Sequence, residues 1–234
     1  MLQHPEYSEI KLPYQTALRL FRAVQKLHPK EIGGSIYINI HKKFEYATVR
    51  SGGDDSVNYP NETEIDYHTH PDSRQTRVYY DPPSFDDTLI QIENSLRHHF
   101  GIQDIVSQIH LTFSNEGIYT TQVIDPEAIV DLVAPLGATS ISDILGIIDV
   151  IWRPQYGQYI DDMLNRNIYR LKEINQLLIG VETKLYPWTQ VIKDQGITIR
   201  LKLTRLIKKS YNLNINEPNS LARPFIPNNI EPTN

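Results

Sequence analysis

The chain has 234 residues, 40% hydrophobic and 22% charged, with a net charge of −5, which suits one compact domain with an appendage or two small domains. That acidic balance points to no nucleic-acid or anionic-membrane partner, and no apolar run reaches the roughly 18 residues of a bilayer span. Cysteine is absent, which excludes thiol nucleophiles, iron–sulfur clusters, Cys-ligated zinc and the deaminases that set Cys beside an H-x-E. Any metal must be held by histidine and carboxylate. No basic-then-apolar leader opens the sequence, so a soluble, intracellular, cytoplasmic protein is expected.

Tyr14 to Leu27 is predicted as an amphipathic helix, with Ala17, Leu20, Phe21, Val24 and Leu27 at helical spacing. Gly33-Gly34 opens a predicted strand over Ser35 to Ile40, with Phe44 to Val49 as its hairpin partner. After a polar loop, Ile65 to His70 is predicted as a strand, because Ile65, Tyr67 and Thr69 alternate with Asp66, His68 and His70. A helix is expected from Ser84 to Phe100, then two strands from Gln108 to Val123 that meet near Asn115-Glu116-Gly117. These elements describe a mixed α/β domain over residues 1–125. Beyond it, Pro126 to Val133, Ser140 to Ile151, Gln158 to Val181 and Ile197 to Lys209 all read as helix, giving a mostly helical C-terminal extension over residues 126–210. Residues 211–234 are rich in Asn and Pro and read as a flexible tail.

The chemistry concentrates at His68-Thr69-His70-Pro71. Residues i and i+2 of a strand share a face, so two imidazoles project together as a pair of metal ligands, and a carboxylate completes a three-ligand site with one open position. Asp81, Asp86 and Asp87 compete for that third place. Ser84 and Asp87 have a structural role of their own, since Ser-x-x-Asp after Pro-Pro is a helix N-cap with an acidic N3 partner. Asp66 reads as a solvated carboxylate, with orientation of an imidazole as the alternative. His98-His99 read as helix C-terminal charges suited to the dipole. His110, between Ile109 and Leu111, reads as structural, and the basic run from Arg200 to Lys209 as a solvated helix face, with a partner-binding or nucleic-acid face as the alternative.

His68-Thr69-His70-Pro71 followed by Ser84-Phe85-Asp86-Asp87 resembles the H-[S/T]-H-P…S-x-x-D signature of the JAMM (MPN+) metallopeptidases, and Lys30-Glu31-Ile32-Gly33-Gly34 resembles the family's upstream glutamate segment. The resemblance covers roughly residues 14 to 125. It implies a mixed β-sheet flanked by helices, with the family's cytidine-deaminase-like core. It further implies zinc held by His68, His70 and Asp87, with Glu31 as general base and Ser84 as the oxyanion donor. The twelve residues from Asp72 to Pro83 exceed the gap usual in the family's eukaryotic members, an insertion that alters the mouth of the groove.

The activity implied by this resemblance is that of a zinc peptidase or isopeptidase acting on a protein substrate, with removal of ubiquitin or a ubiquitin-like protein as the leading expectation. The helical extension is where a partner subunit could dock. A catalytically silent MPN-type scaffold is the alternative, although such subunits lack one or more signature residues. Asp66-x-His68-x-His70 also resembles the first-strand motif of PHP-type metallo-phosphoesterases. Those are barrels with later ligands, however, and here the chain after Asp125 reads as helix.

Overall fold

The computed structural model describes residues 7–27, 32–38, 44–51, 65–70, 80–102 and 109–202. The predicted strand at the HxH motif is central to it. β4 (Ile65–Thr69) is flanked by antiparallel β2 (Ile32–Ile38) and parallel β5 (Ile109–Phe113). β3 (Phe44–Ser51) pairs with β2 as the hairpin partner expected from sequence. On the other side, β6 (Gly117–Val123) continues from β5, and β7 (Val181–Pro187) closes the edge. The mixed six-stranded order is β3-β2-β4-β5-β6-β7, and a separate ribbon pairs β1 (Tyr7–Pro13) with β8 (Gly196–Lys202). The fold is therefore α/β, a mixed sheet flanked by helices.

The helices obey local rules. α1 (Tyr14–Leu27) has the predicted limits, with Ala17 and Leu20 buried. α2 (Phe85–His99) opens on a capping box at Ser84 and closes with Arg97, His98 and His99 at its carbonyl end. Asp125 caps α3 (Pro126–Val133), with proline at the first helical position. α4 (Ile141–Arg166) is capped by Ser140 and runs unbroken through Pro154. The two stretches expected as separate helices, Ser140 to Ile151 and from Gln158 on, are thus joined across a proline that costs a helix interior about 3 kcal/mol. The buried stripe of Ile144, Ile148, Trp152, Tyr156 and Met163 supplies the packing that carries the helix past it.

The predicted helix over Gln158 to Val181 is overturned in part. Asn167 ends α4 in the left-handed region (φ 56°), and α5 (Leu171–Leu177) is a separate short helix. Gly180 then turns into β7 at φ 80°, where a Cβ would collide with the Asp125 carbonyl oxygen. Ile197 to Lys202 is strand rather than helix. Ile197 and Ile199 are buried while Thr198 and Arg200 are exposed, a period of two that the basic residues obscured. Between these strands lies α6 (Trp188–Lys193). The sheet thus does not stop at Asp125, because β7 supplies its last strand. The polar loop after Arg50, most of the Asp72 to Pro83 segment, residues 203–209 and the 211–234 tail lie outside the described residues.

The sheet has unlike faces. Ile36, Ile65, Tyr67, Ile109, Leu111, Phe113 and Ile118 pack with Leu12, Ala17, Leu20, Val191, Ile197 and Ile199. The other face lies under α2 and carries polar residues, beyond which α2, α3, α4 and α5 share a second apolar cluster. No single described helix is long and apolar enough to cross a membrane. α3 with its following turn meets that test only jointly with α4, across an 85° bend.

Candidate metal centre

Cross-strand partners share a sheet face, so the register fixes what surrounds the histidines. Ser35 pairs with Asp66, Asp66 with His110, His68 with Thr112, and His110 with Thr121. All belong to the face beneath α2, and all are buried. His70 follows the last residue of β4 and is tied to β5 by its backbone N–H, which donates to the Phe113 carbonyl at 2.9 Å. Asp87, in the first turn of α2, faces both imidazoles.

His68 Nε2 and His70 Nε2 lie 2.7 Å apart. Asp87 Oδ2 is 3.5 Å from the first and 3.9 Å from the second. Ligand bonds of about 2.0–2.2 Å in a tetrahedral site place ligand atoms about 3.4 Å apart, so a sub-ångström adjustment of the two rings fits the triangle to one ion. Among the described residues, His68, His70 and Asp87 form the one group able to hold a metal ion. Asp86 turns away to Arg153 at 2.6 Å. Asp81 approaches His70 on its Nδ1 side, so Asp87 is the carboxylate placed to complete a three-ligand group.

The helix start aims this carboxylate. The Ser84 N–H and hydroxyl both donate to Asp87 Oδ2, at 2.8 and 2.7 Å, and the Asp87 N–H donates back to Ser84 Oγ at 3.1 Å. Behind it, the buried Tyr156 hydroxyl donates to the Pro83 carbonyl at 2.6 Å, and its ring lies 5.1 Å from Phe85. The Arg153 guanidinium lies over the Phe85 ring at 4.9 Å. A ligand on a mobile loop would lose side-chain freedom on binding; this one is already fixed by α2 and α4.

Each imidazole also has an outer partner. His68 Nδ1 meets His110 Nε2. His70 Nδ1 lies 3.3 Å from both the carbonyl oxygen and a carboxylate oxygen of Asp81. The Asp81 N–H donates to Glu116 Oε1 at 2.5 Å, and the Tyr119 hydroxyl donates to the same oxygen at 2.7 Å. Metal-binding histidines characteristically have their second nitrogen held in this way.

Burial pushes the His68 imidazole well below its ordinary value, against the pull of Asp87 and with His110 and His70 adding to the fall. Burial likewise brings His110 down to about 4. Burial raises the Asp87 carboxyl, but His68, His70, His110 and the Ser84 hydroxyl outweigh it and hold that group well below the usual carboxylate range. A neutral ring and an ionised carboxylate are the ligand forms a cation requires. Burial raises Glu116 above its ordinary value despite the hydrogen bonds it accepts.

His68, His70, Ser84 and Asp87 come together as the motif predicts. Glu31 lies outside the described residues. Asp66 is corrected: it is 1% exposed and accepts the Ser35 hydroxyl at 3.0 Å, because a central strand under α2 leaves it no solvent. His98 and His99 stand at the end of α2, away from the site. Sequence reasoning missed His110, Glu116 and Tyr156. A histidine alternating with Ile109 and Leu111 signals a strand with one polar face, but nothing in the sequence says that β5 lies parallel beside β4. No family model, curated protein or solved structure matches the chain.

Proposed function

We propose that the chain is a zinc-dependent peptidase or isopeptidase of JAMM type, with ubiquitin or a ubiquitin-like protein as the leading substrate class. The observation that supports this most is the convergence of His68 Nε2, His70 Nε2 and Asp87 Oδ2, delivered by the H-T-H-P strand end and the S-x-x-D helix start. A cysteine-free His₂-carboxylate set suits zinc, and three protein ligands leave a position open. Zinc bound there supplies a Lewis acid and acidifies water towards neutral pH.

The chain's own residues do the rest. Glu31, just ahead of the strand whose Gly33 pairs with His68, takes a proton from the attacking water and delivers it to the leaving amine. Ser84 donates to the carbonyl oxygen as charge develops on it. A hydroxyl has one donor and two acceptor sites. The cap needs Ser84 Oγ as an acceptor for the Asp87 N–H, so its proton can turn from Asp87 to substrate without dismantling the helix start.

Metal content tests the reading without the right substrate in hand. About one zinc per wild-type chain is expected by mass spectrometry of the metal, and none in His68→Ala/His70→Ala. Cleavage of ubiquitin conjugates by wild type, and none by Glu31→Gln with its zinc intact, would complete the case. Wild type that takes up no zinc above the double mutant overturns it.

A further inference from the structure

We propose that His110 is a positioning residue of the metal centre: by accepting the Nδ1 hydrogen of His68, it holds that ring in the tautomer whose Nε2 lone pair faces Asp87 and His70. This role rests on the reading that His68, His70 and Asp87 bind a metal ion.

The juxtaposition comes from strand register. β4 and β5 run parallel, with Asp66 opposite His110 and His68 opposite Thr112, so His110 is the diagonal neighbour of His68 on the same face. The two rings are 4.6 Å apart and inclined by 35°, and His68 Nδ1 meets His110 Nε2. Both side chains are almost fully buried, at 2% and 3% exposure, so water does not compete freely for that contact.

A neutral imidazole carries one proton, and its place decides whether His68 can ligate. Suppose His110 donated from Nε2. His68 Nδ1 would then be the acceptor, its proton would sit on Nε2, and that N–H would point into the space between His70 and Asp87. No cation can bind a protonated nitrogen. If His110 accepts instead, its own proton is on Nδ1, His68 is protonated at Nδ1, and the lone pair on Nε2 is free. One of the two arrangements is compatible with the site, and it is the one in which His110 accepts.

The companion ligand shows the same device in unambiguous form. His70 Nδ1 faces a carbonyl oxygen and a carboxylate oxygen of Asp81, both of which can only accept. His110 does for His68 what Asp81 does for His70. It is not a further ligand to the same ion, because its Nε2 is engaged on the Nδ1 side of His68, and the convergent group omits it. The fourth position of the site thereby stays open.

A histidine that merely fills the core makes a different prediction, and two replacements separate the cases. His110→Phe keeps a ring of similar volume but has no acceptor. His110→Gln places an amide oxygen within reach of the old Nε2 position. Zinc affinity of the full chain, read by competition with a chromophoric chelator, is expected to fall about 10–100-fold in His110→Phe and to recover most of that loss in His110→Gln. Circular dichroism and cooperative melting establish that each variant is folded. Long-range ¹H–¹⁵N spectra of the metal-free wild type should place the His68 proton on Nδ1, a readout that survives even if a variant fails to fold. Wild-type affinity in folded His110→Phe overturns the proposal, as does equal weakness of the two variants or a His68 proton on Nε2. Wild type that binds no zinc overturns this proposal and the peptidase reading together, whereas wild type that binds it beside an unaffected His110→Phe overturns this one alone.

Discussion

On β4, Ile65 and Tyr67 point into a cluster with Leu20, Leu111 and Phe113, whereas Asp66 and His68, one residue along, point towards α2 beside His110, Thr112 and Thr121. The strands are shared and the burial is equally deep, but the physics differs. The first face gains from each apolar area removed from water. The second buries groups that cost free energy unless every donor and acceptor finds a partner, and some do not. The Thr112 hydroxyl and Glu116 Oε2 are buried with no hydrogen-bond partner among the described residues. A fold keeps such a layer where its chemistry is used. One face holds the molecule together, and the other carries His68 of the group that could hold a metal ion.

Substitutions on each face test that division. The largest effect is expected from Phe113→Ala on the apolar side. Phe113 is fully buried, packs edge-on to Tyr67 at 6.0 Å and lies 6.4 Å from Trp188. Its loss should cost about 3–5 kcal/mol in urea denaturation and leave zinc per folded chain unchanged. A fall in zinc affinity would mean that the faces are coupled. Thr112→Val, one residue away on the polar side, should do the opposite. It is nearly isosteric and removes a hydroxyl with no partner among the described residues, so stability should hold or rise by about 1 kcal/mol. A clear loss in the same denaturation experiment would show that the hydroxyl is in use.

The smallest effect is expected from Glu116→Gln, and it is one of pH. Folding raises this carboxyl above its ordinary 4.5. As pH climbs past that value, the unfolded chain releases its proton first. The native state then binds more protons, and stability falls until the native group ionises too. Glutamine keeps an acceptor for the Asp81 N–H and the Tyr119 hydroxyl but cannot ionise. The melting temperature of Glu116→Gln should therefore lose that downward step above pH 4.5, and an unchanged pH profile would assign the step to other groups.

Local chemistry made much of this legible in sequence. Period and caps gave α1 and α3 their limits, the Ser84 start of α2 and the β5–β6 hairpin, since each depends on residues a few positions apart. The four signature residues around His68 were legible for the same reason. Long-range pairing was not. β7 and β8 carry a two-residue alternation, but β8 is interleaved with arginine and lysine that also suit a helix face, and β7 comes directly after helix-forming sequence. The gap expected between Ile151 and Gln158 erred in the other direction, because the packing that carries α4 through Pro154 comes from α2 and α3. His110 stayed hidden because its meaning depends on which strand lies next to β4, and how.

The pairing of β1 with β8 has a consequence for synthesis. Tyr7 is matched to Lys202 and Pro13 to Gly196, so the partner of the first strand lies ~190 residues downstream. At about 5–20 residues per second, a nascent chain carries that strand without its partner for roughly 10–40 s. β6 waits for β7 over a shorter gap of ~60–70 residues, roughly 3–14 s at the same rate. During each wait the emerging chain presents an open strand edge, the surface most prone to pairing with a neighbour. The β1–β8 ribbon can close only once Gly196–Lys202 has emerged, so crowding of nascent chains is a stress to which this topology is exposed.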